Sequence, residues 1–138
     1  MSRRPDVLLF PDEGKCIIVE FKAPDVDVTK HLAQIDQYAT LILNYTEDKY
    51  LFNTFYGYLI GEAIERRDVL GVVSTWEEAQ HFKYFLRPSA KVNSFDASRG
   101  NGSIYTEIIK YSTLLERAKL RNKIFIDKLE KGKVINNG

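Results

Sequence analysis

Asp6, Glu20 and Lys22 bracket a short apolar ribbon, RPDVLLFPDEGKCIIVEFKAP, over residues 4–24. Two carboxylates held side by side repel, and one takes up a proton unless a cation neutralises them. A hard divalent ion such as Mg²⁺ or Mn²⁺ takes oxygen ligands and keeps several waters. Two carboxylates and a strand carbonyl, here that of Phe21, therefore make half a cage for it. A lysine two residues beyond the second acid can offset charge building on a phosphoryl group or orient an attacking water. Acid, acid and lysine together suit the hydrolysis of phosphodiesters.

The elements must then gather these groups. Residues 7–10 and 16–22 read as strands, and Pro11-Asp12-Glu13-Gly14 between them is turn chemistry. Pro24 withdraws a ladder donor and ends the second strand. Alternation puts Glu20 and Lys22 on one side, with Val19 and Phe21 on the other. A five-residue connection pairs Phe10 with Cys16 and sets Asp6 directly across from Glu20. A register one residue away sends the two acids to opposite faces.

From Val28 to Asn44 the period becomes helical, with Leu32, Ile35, Ala39, Ile42 and Leu43 on one stripe and Thr29 or Asp27 as the cap. Gln34 and Tyr38 are four apart on this helix and can face one site.

Pro5-Asp6, the fourteen positions from Asp6 to Glu20, and Glu20-Phe21-Lys22 resemble the core motif of the PD-(D/E)XK nuclease superfamily. Gln34-Ile35-Asp36-Gln37-Tyr38 is similar to the Gln-x-x-x-Tyr pattern of its RecB-like and Cas4-like branches. The resemblance implies a restriction-endonuclease-like core, with Mg²⁺ or Mn²⁺ held by Asp6, Glu20 and the Phe21 carbonyl. It also implies catalytic roles for Asp6, Glu20, Lys22, Gln34 and Tyr38, and DNA as substrate. In complete members a helix precedes the aspartate; here only Met1-Ser2-Arg3-Arg4 do, so the chain is expected to lack that helix or to be a minimal copy. A looser resemblance, in FYGYLIGE (55–62) and residues 104–129, is to the C-terminal region of bacterial proteins that open with a gyrase, chaperone or histidine-kinase type ATPase domain. It implies an upstream ATPase domain in a longer protein.

Further strands are expected at 50–60, 69–74, 81–87 and 103–110. Short helical segments are expected at Ala63–Arg67 and at a capping box of Ser74 or Thr75 with Glu77 and Glu78. Residues 96–102 read as a loop. Thr113 opens a final helix with Leu114, Leu115, Ala118, Phe125 and Leu129 on its inner side. The expectation is one α/β domain over residues 1–133, a mixed central sheet flanked by helices, with a frayed tail at 134–138.

Composition sets the outer bounds. The chain has 138 residues, enough for one domain with a core, and no apolar run near the roughly 18 residues that cross a membrane. Its lone cysteine, Cys16, lies in an apolar run and reads as a core side chain, which with the lack of a leader pattern points to the cytoplasm. The net charge is +1, yet from Lys110 onward eight Lys or Arg face three acids, leaving the first 109 residues at −4. The basic end can meet phosphates or an acidic partner, or form a solvated helix face. Arg3, Arg4 and His31 are further candidates for nucleic-acid contact. Arg66-Arg67 and Arg99–Gly102 are looser ones, and His81 reads as structural.

Three readings follow: a metal-dependent DNA nuclease, an inactive nuclease-fold module that binds DNA or forms a homodimer, and a structural domain. The absence of a glycine-rich phosphate loop argues against nucleotide hydrolysis in this chain.

Overall fold

The computed structural model describes residues 5–47, 51–72, 75–79 and 84–136. Strands β1 (Asp6–Phe10) and β2 (Lys15–Phe21) pair antiparallel. Pro11 starts a 3-10 turn over Pro11–Glu13, and Gly14 leaves it at φ +65°, donating its N–H back to the Pro11 carbonyl. A left-handed exit of this kind favours glycine.

This turn corrects the expected register. The tight turn consumes four residues rather than five, so Lys15 already enters the ladder. Phe10 pairs with Lys15, Leu9 with Cys16, and Asp6 with Val19.

Asp27 caps the next segment, its carboxylate accepting from the Thr29 N–H at 3.0 Å. One 3-10 turn (Val28–His31) leads into α1 (Leu32–Tyr45). The expected stripe is the packed one: Ile35, Ala39 and Leu43 are buried, with Leu32 and Ile42 against them. Strand β3 (Thr54–Gly61) lies parallel to β2, and β6 (Gly102–Lys110) lies parallel to β3. Beyond β6 run β5 (Tyr84–Val92) and β4 (Glu77–Ala79), both antiparallel. The result is one six-stranded mixed sheet, ordered β1-β2-β3-β6-β5-β4, in an α/β arrangement with flanking helices.

Helix α1 covers the face that carries Cys16, Ile18, Phe55, Leu59, Ile104 and Ile108, all buried. Gly57 permits the approach: a Cβ there would lie 2.5 Å from Ile35 Cγ2. The ladders β2–β3 and β3–β6 put Glu20, Leu59 and Ile108 in one row of this face.

Several expectations are overturned. Residues 69–72 belong to α2 (Arg66–Val72), not to a strand, and residues 73–74 lie outside the described residues. The Glu65 carbonyl receives the N–H groups of Asp68 and Val69, and the resulting turn buries Val69. Glu77 and Glu78 form β4 rather than a helical turn, because β5 offers them a ladder that outweighs local capping. Helix α3 (Tyr111–Asn136) takes in residues 134–136, expected to fray. Its expected inner side is also exposed: Leu114, Leu115, Ala118, Phe125 and Leu129 all face solvent, while Thr113 is buried. Past Arg117 every side chain through Lys131 is exposed, so amphipathic spacing does not mark a core-facing side here. Among the described residues no helix is long and apolar enough to cross a membrane.

Candidate functional site at the carboxyl end of β2

Glu20 is the last inward side chain of β2 and is only 3% exposed, a rare burial for a carboxylate. Strand alternation returns Lys22 to the same side, as expected. Its ammonium lies 3.0 Å from Glu20 Oε1. The backbone N–H of Lys22 donates to the Ile60 carbonyl at 2.8 Å, which holds the strand end against β3. The same ammonium donates to Gln34 Oε1 at 2.9 Å, from the first turn of α1. Three residues singled out from the sequence thus form one chain of contacts, Glu20–Lys22–Gln34.

The trio is not saturated. Glu20 Oε2 is buried and has no hydrogen-bond partner among the described residues. A buried charge-bearing oxygen left unpaired is costly, and such atoms ask for an ion, a water or a substrate group. The site lies at the carboxyl end of a parallel strand beside a helix start, where open α/β sheets place their ligands.

Asp6 does not join it. Residues directly across an antiparallel ladder share a face, so Asp6, opposite Val19, faces away from Glu20. Asp6 is exposed. Among the described residues no three His, Cys, Asp or Glu side chains cluster in a way that could hold a metal ion. Tyr38 stands one turn beyond Gln34 and packs against the hydrophobic core. His31 is half-buried where the 3-10 turn meets α1, on no hydrogen bond to the trio. Arg3, Arg4 and His81 lie outside the described residues.

Sequence reading missed the group that orients α1. Arg87 of β5 makes a fork to Asp36, Nη1 to Oδ2 at 3.0 Å and Nη2 to Oδ1 at 2.5 Å. Nη2 also donates to Thr106 Oγ1 at 3.2 Å, and the guanidinium lies 5.2 Å from the Trp76 ring centroid. A bidentate guanidinium–carboxylate pair fixes orientation as well as distance, and Asp36 is two residues from Gln34. The partners are 51 residues apart, and only the sheet order brings them together.

Cys16 is fully buried, as expected, and burial pushes its thiol up to about 11. It is a packing side chain. No family model, curated protein or solved structure matches this chain.

Proposed function

We propose that the chain is a PD-(D/E)XK-like domain, with a restriction-endonuclease-like core, that hydrolyses DNA phosphodiesters with Mg²⁺ or Mn²⁺. One observation carries the reading: a buried Glu20 with one oxygen on Lys22 and the other without a partner among the described residues, beside Gln34. Glu20 and the Phe21 carbonyl are the residues to hold the ion. Mg²⁺ is commonly held by one or two carboxylates together with waters and substrate phosphates, so a single protein carboxylate is a sufficient anchor. When bound, the ion polarises the phosphoryl oxygens and acidifies a water.

The chain's own groups supply the rest. Lys22, positioned by Gln34, holds a positive charge where negative charge develops on the transferring phosphoryl group. The buried setting of Glu20 raises the strength of these interactions over their value in water. The test is cleavage of plasmid and single-stranded DNA with Mg²⁺ or Mn²⁺, alongside calorimetric metal binding. Activity is expected to be lost in Glu20→Gln and to fall about a hundredfold in Lys22→Met, on the scale of removing one electrostatic stabiliser. Equal cleavage by all three proteins overturns the reading.

A second reading is favoured by the ladder itself, since Asp6 opposite Val19 supplies no second carboxylate to Glu20. In it the domain is a non-catalytic nuclease-fold module that binds DNA or self-associates, appended to an ATPase domain. It expects salt-dependent DNA binding without cleavage under any divalent ion.

A further inference from the structure

Among the described residues two apolar surfaces have no covering element. The first is α3, where every side chain from Ala118 to Lys131 is exposed, Phe125 to 61% and Leu129 to 52%. Tyr111, Leu115, Ala118, Asn122, Phe125 and Leu129 follow alternating steps of four and three, which places them on one seam. The second is the sheet face opposite α1. There Tyr56 and Tyr58 of β3 and Tyr105 and Glu107 of β6 are only half-buried, with Ile17 and Val19 of β2 beside them. At the β1 edge this face ends in Leu8 and Phe10, 54% and 43% exposed. The chain's own α3 meets this face near its root, where Arg117 lies 4.7 Å from the Tyr84 ring centroid.

Charge decides what covers them. Lys119, Arg121 and Lys128 flank the α3 seam, while its three acids, Glu116, Asp127 and Glu130, fall on outer positions. Pairing α3 with a second α3 brings together margins that carry Lys and Arg and no acid to offset them. On the open sheet face Lys15 and Lys91 stand in the end row with Thr54 and Ser103, and the rows beyond it have the opposite character. On that side β3 and β6 present no Lys or Arg, and Glu107 forms no ion pair among the described residues; its partner is the Tyr105 hydroxyl at 2.6 Å. The net charges agree, +5 from Lys110 onward against −4 for the rest. Dimensions agree as well: Tyr111 to Leu129 extends about 27 Å as a helix, and six strands span about 24 Å.

We propose that the chain forms a two-fold dimer in which α3 of each copy lies across the tyrosine-bearing sheet face of the other. The contact is isologous, helix on sheet twice over, and closes at two copies. Tyrosine rings give the receiving face a broad apolar surface with polar rims, and the Lys and Arg stems lie along it with their charges toward Glu107 and solvent. The arrangement is independent of the hydrolytic reading, because it uses no residue of the Glu20–Lys22–Gln34 trio.

The test is sedimentation velocity on the full chain, with cross-linking from a photoreactive residue at position 125. The expected results are a dimer, and hybrid cross-links between isotopically light and heavy copies that map to residues 54–60 and 103–109. Phe125→Glu and Glu107→Lys are each expected to weaken self-association at least tenfold with unchanged circular dichroism, Phe125 being exposed and Glu107 half-buried on the open sheet face. A monomer at about 100 µM, weaker than a standard-size interface, overturns the proposal. Cross-links confined to α3 of the other copy, or to the same copy, also overturn it.

Discussion

Asp6 stands across from Val19 in the β1–β2 ladder, one residue short of Glu20. That single step decides which face of the sheet each acid occupies. Opposed Cα atoms in an antiparallel pair are about 4.5–5.5 Å apart, within disulfide range. Leu9→Cys is therefore expected to cross-link to Cys16 when the chain is refolded from urea under mild oxidation, and Phe10→Cys is not. Mass spectrometry of the oxidised proteins reads the result, and the reverse outcome returns Asp6 to the side of Glu20.

The fork between Arg87 and Asp36 ties α1 to β5 at the level of Thr106. Arg87 is largely buried while Asp36 is 40% exposed, so the two truncations differ in cost. Arg87→Met is expected to cost about 2 kcal/mol, in the range for hydrogen bonds to charged groups, and Asp36→Asn about 1 kcal/mol, in the range for neutral ones. Urea unfolding of the single and double variants checks it. Near-additive losses remove the coupling.

Gly57 lies under Ile35, and a methyl group at 57 meets Cγ2 of that side chain. Gly57→Ala is expected to destabilise the fold by about 1–3 kcal/mol, the usual cost of overpacking. Combining it with Ile35→Ala, which removes the obstructing atom, is expected to cost less than the sum. A stabilising Gly57→Ala refutes the close approach of α1.

Cys16 is fully buried and its thiol is raised to about 11. At pH 8 the native protein is expected to resist a thiolate-selective reagent, and labelling is expected to follow unfolding in urea. The unfolded thiol loses its proton first as pH rises. Between about pH 8.5 and 11 the unfolded state thus binds fewer protons, and stability falls with pH through this group. Cys16→Ala flattens that part of the profile. Rapid labelling of the native chain contradicts the burial.

Tyr105 and Tyr58 bear on the open sheet face. Burial, then the hydrogen bond to Glu107, pushes the Tyr105 phenol up, and burial with the charge of Glu107 does the same for Tyr58. Spectrophotometric titration is expected to show two hydroxyls ionising later than ordinary tyrosines. Glu107→Gln is expected to bring both down, most at Tyr105, which loses both the carboxylate as hydrogen-bond partner and its charge.

The sequence by itself determined the local elements: the β1–β2 ribbon, the α1 stripe of Ile35, Ala39 and Leu43, and the shared side of Glu20 and Lys22. Those follow from periods of two and 3.6, which a linear string displays. Tertiary structure decided the rest. Turn length at Gly14 set the register and turned Asp6 away, and available ladder partners made β4 out of a capping pattern. Sheet order brought Arg87 to Asp36, and α3 left its apolar seam exposed from Ala118 to Lys131, where a helical period alone predicts a packed side. Those outcomes depend on what stands opposite each residue in space, and a periodic pattern names a face without naming its partner.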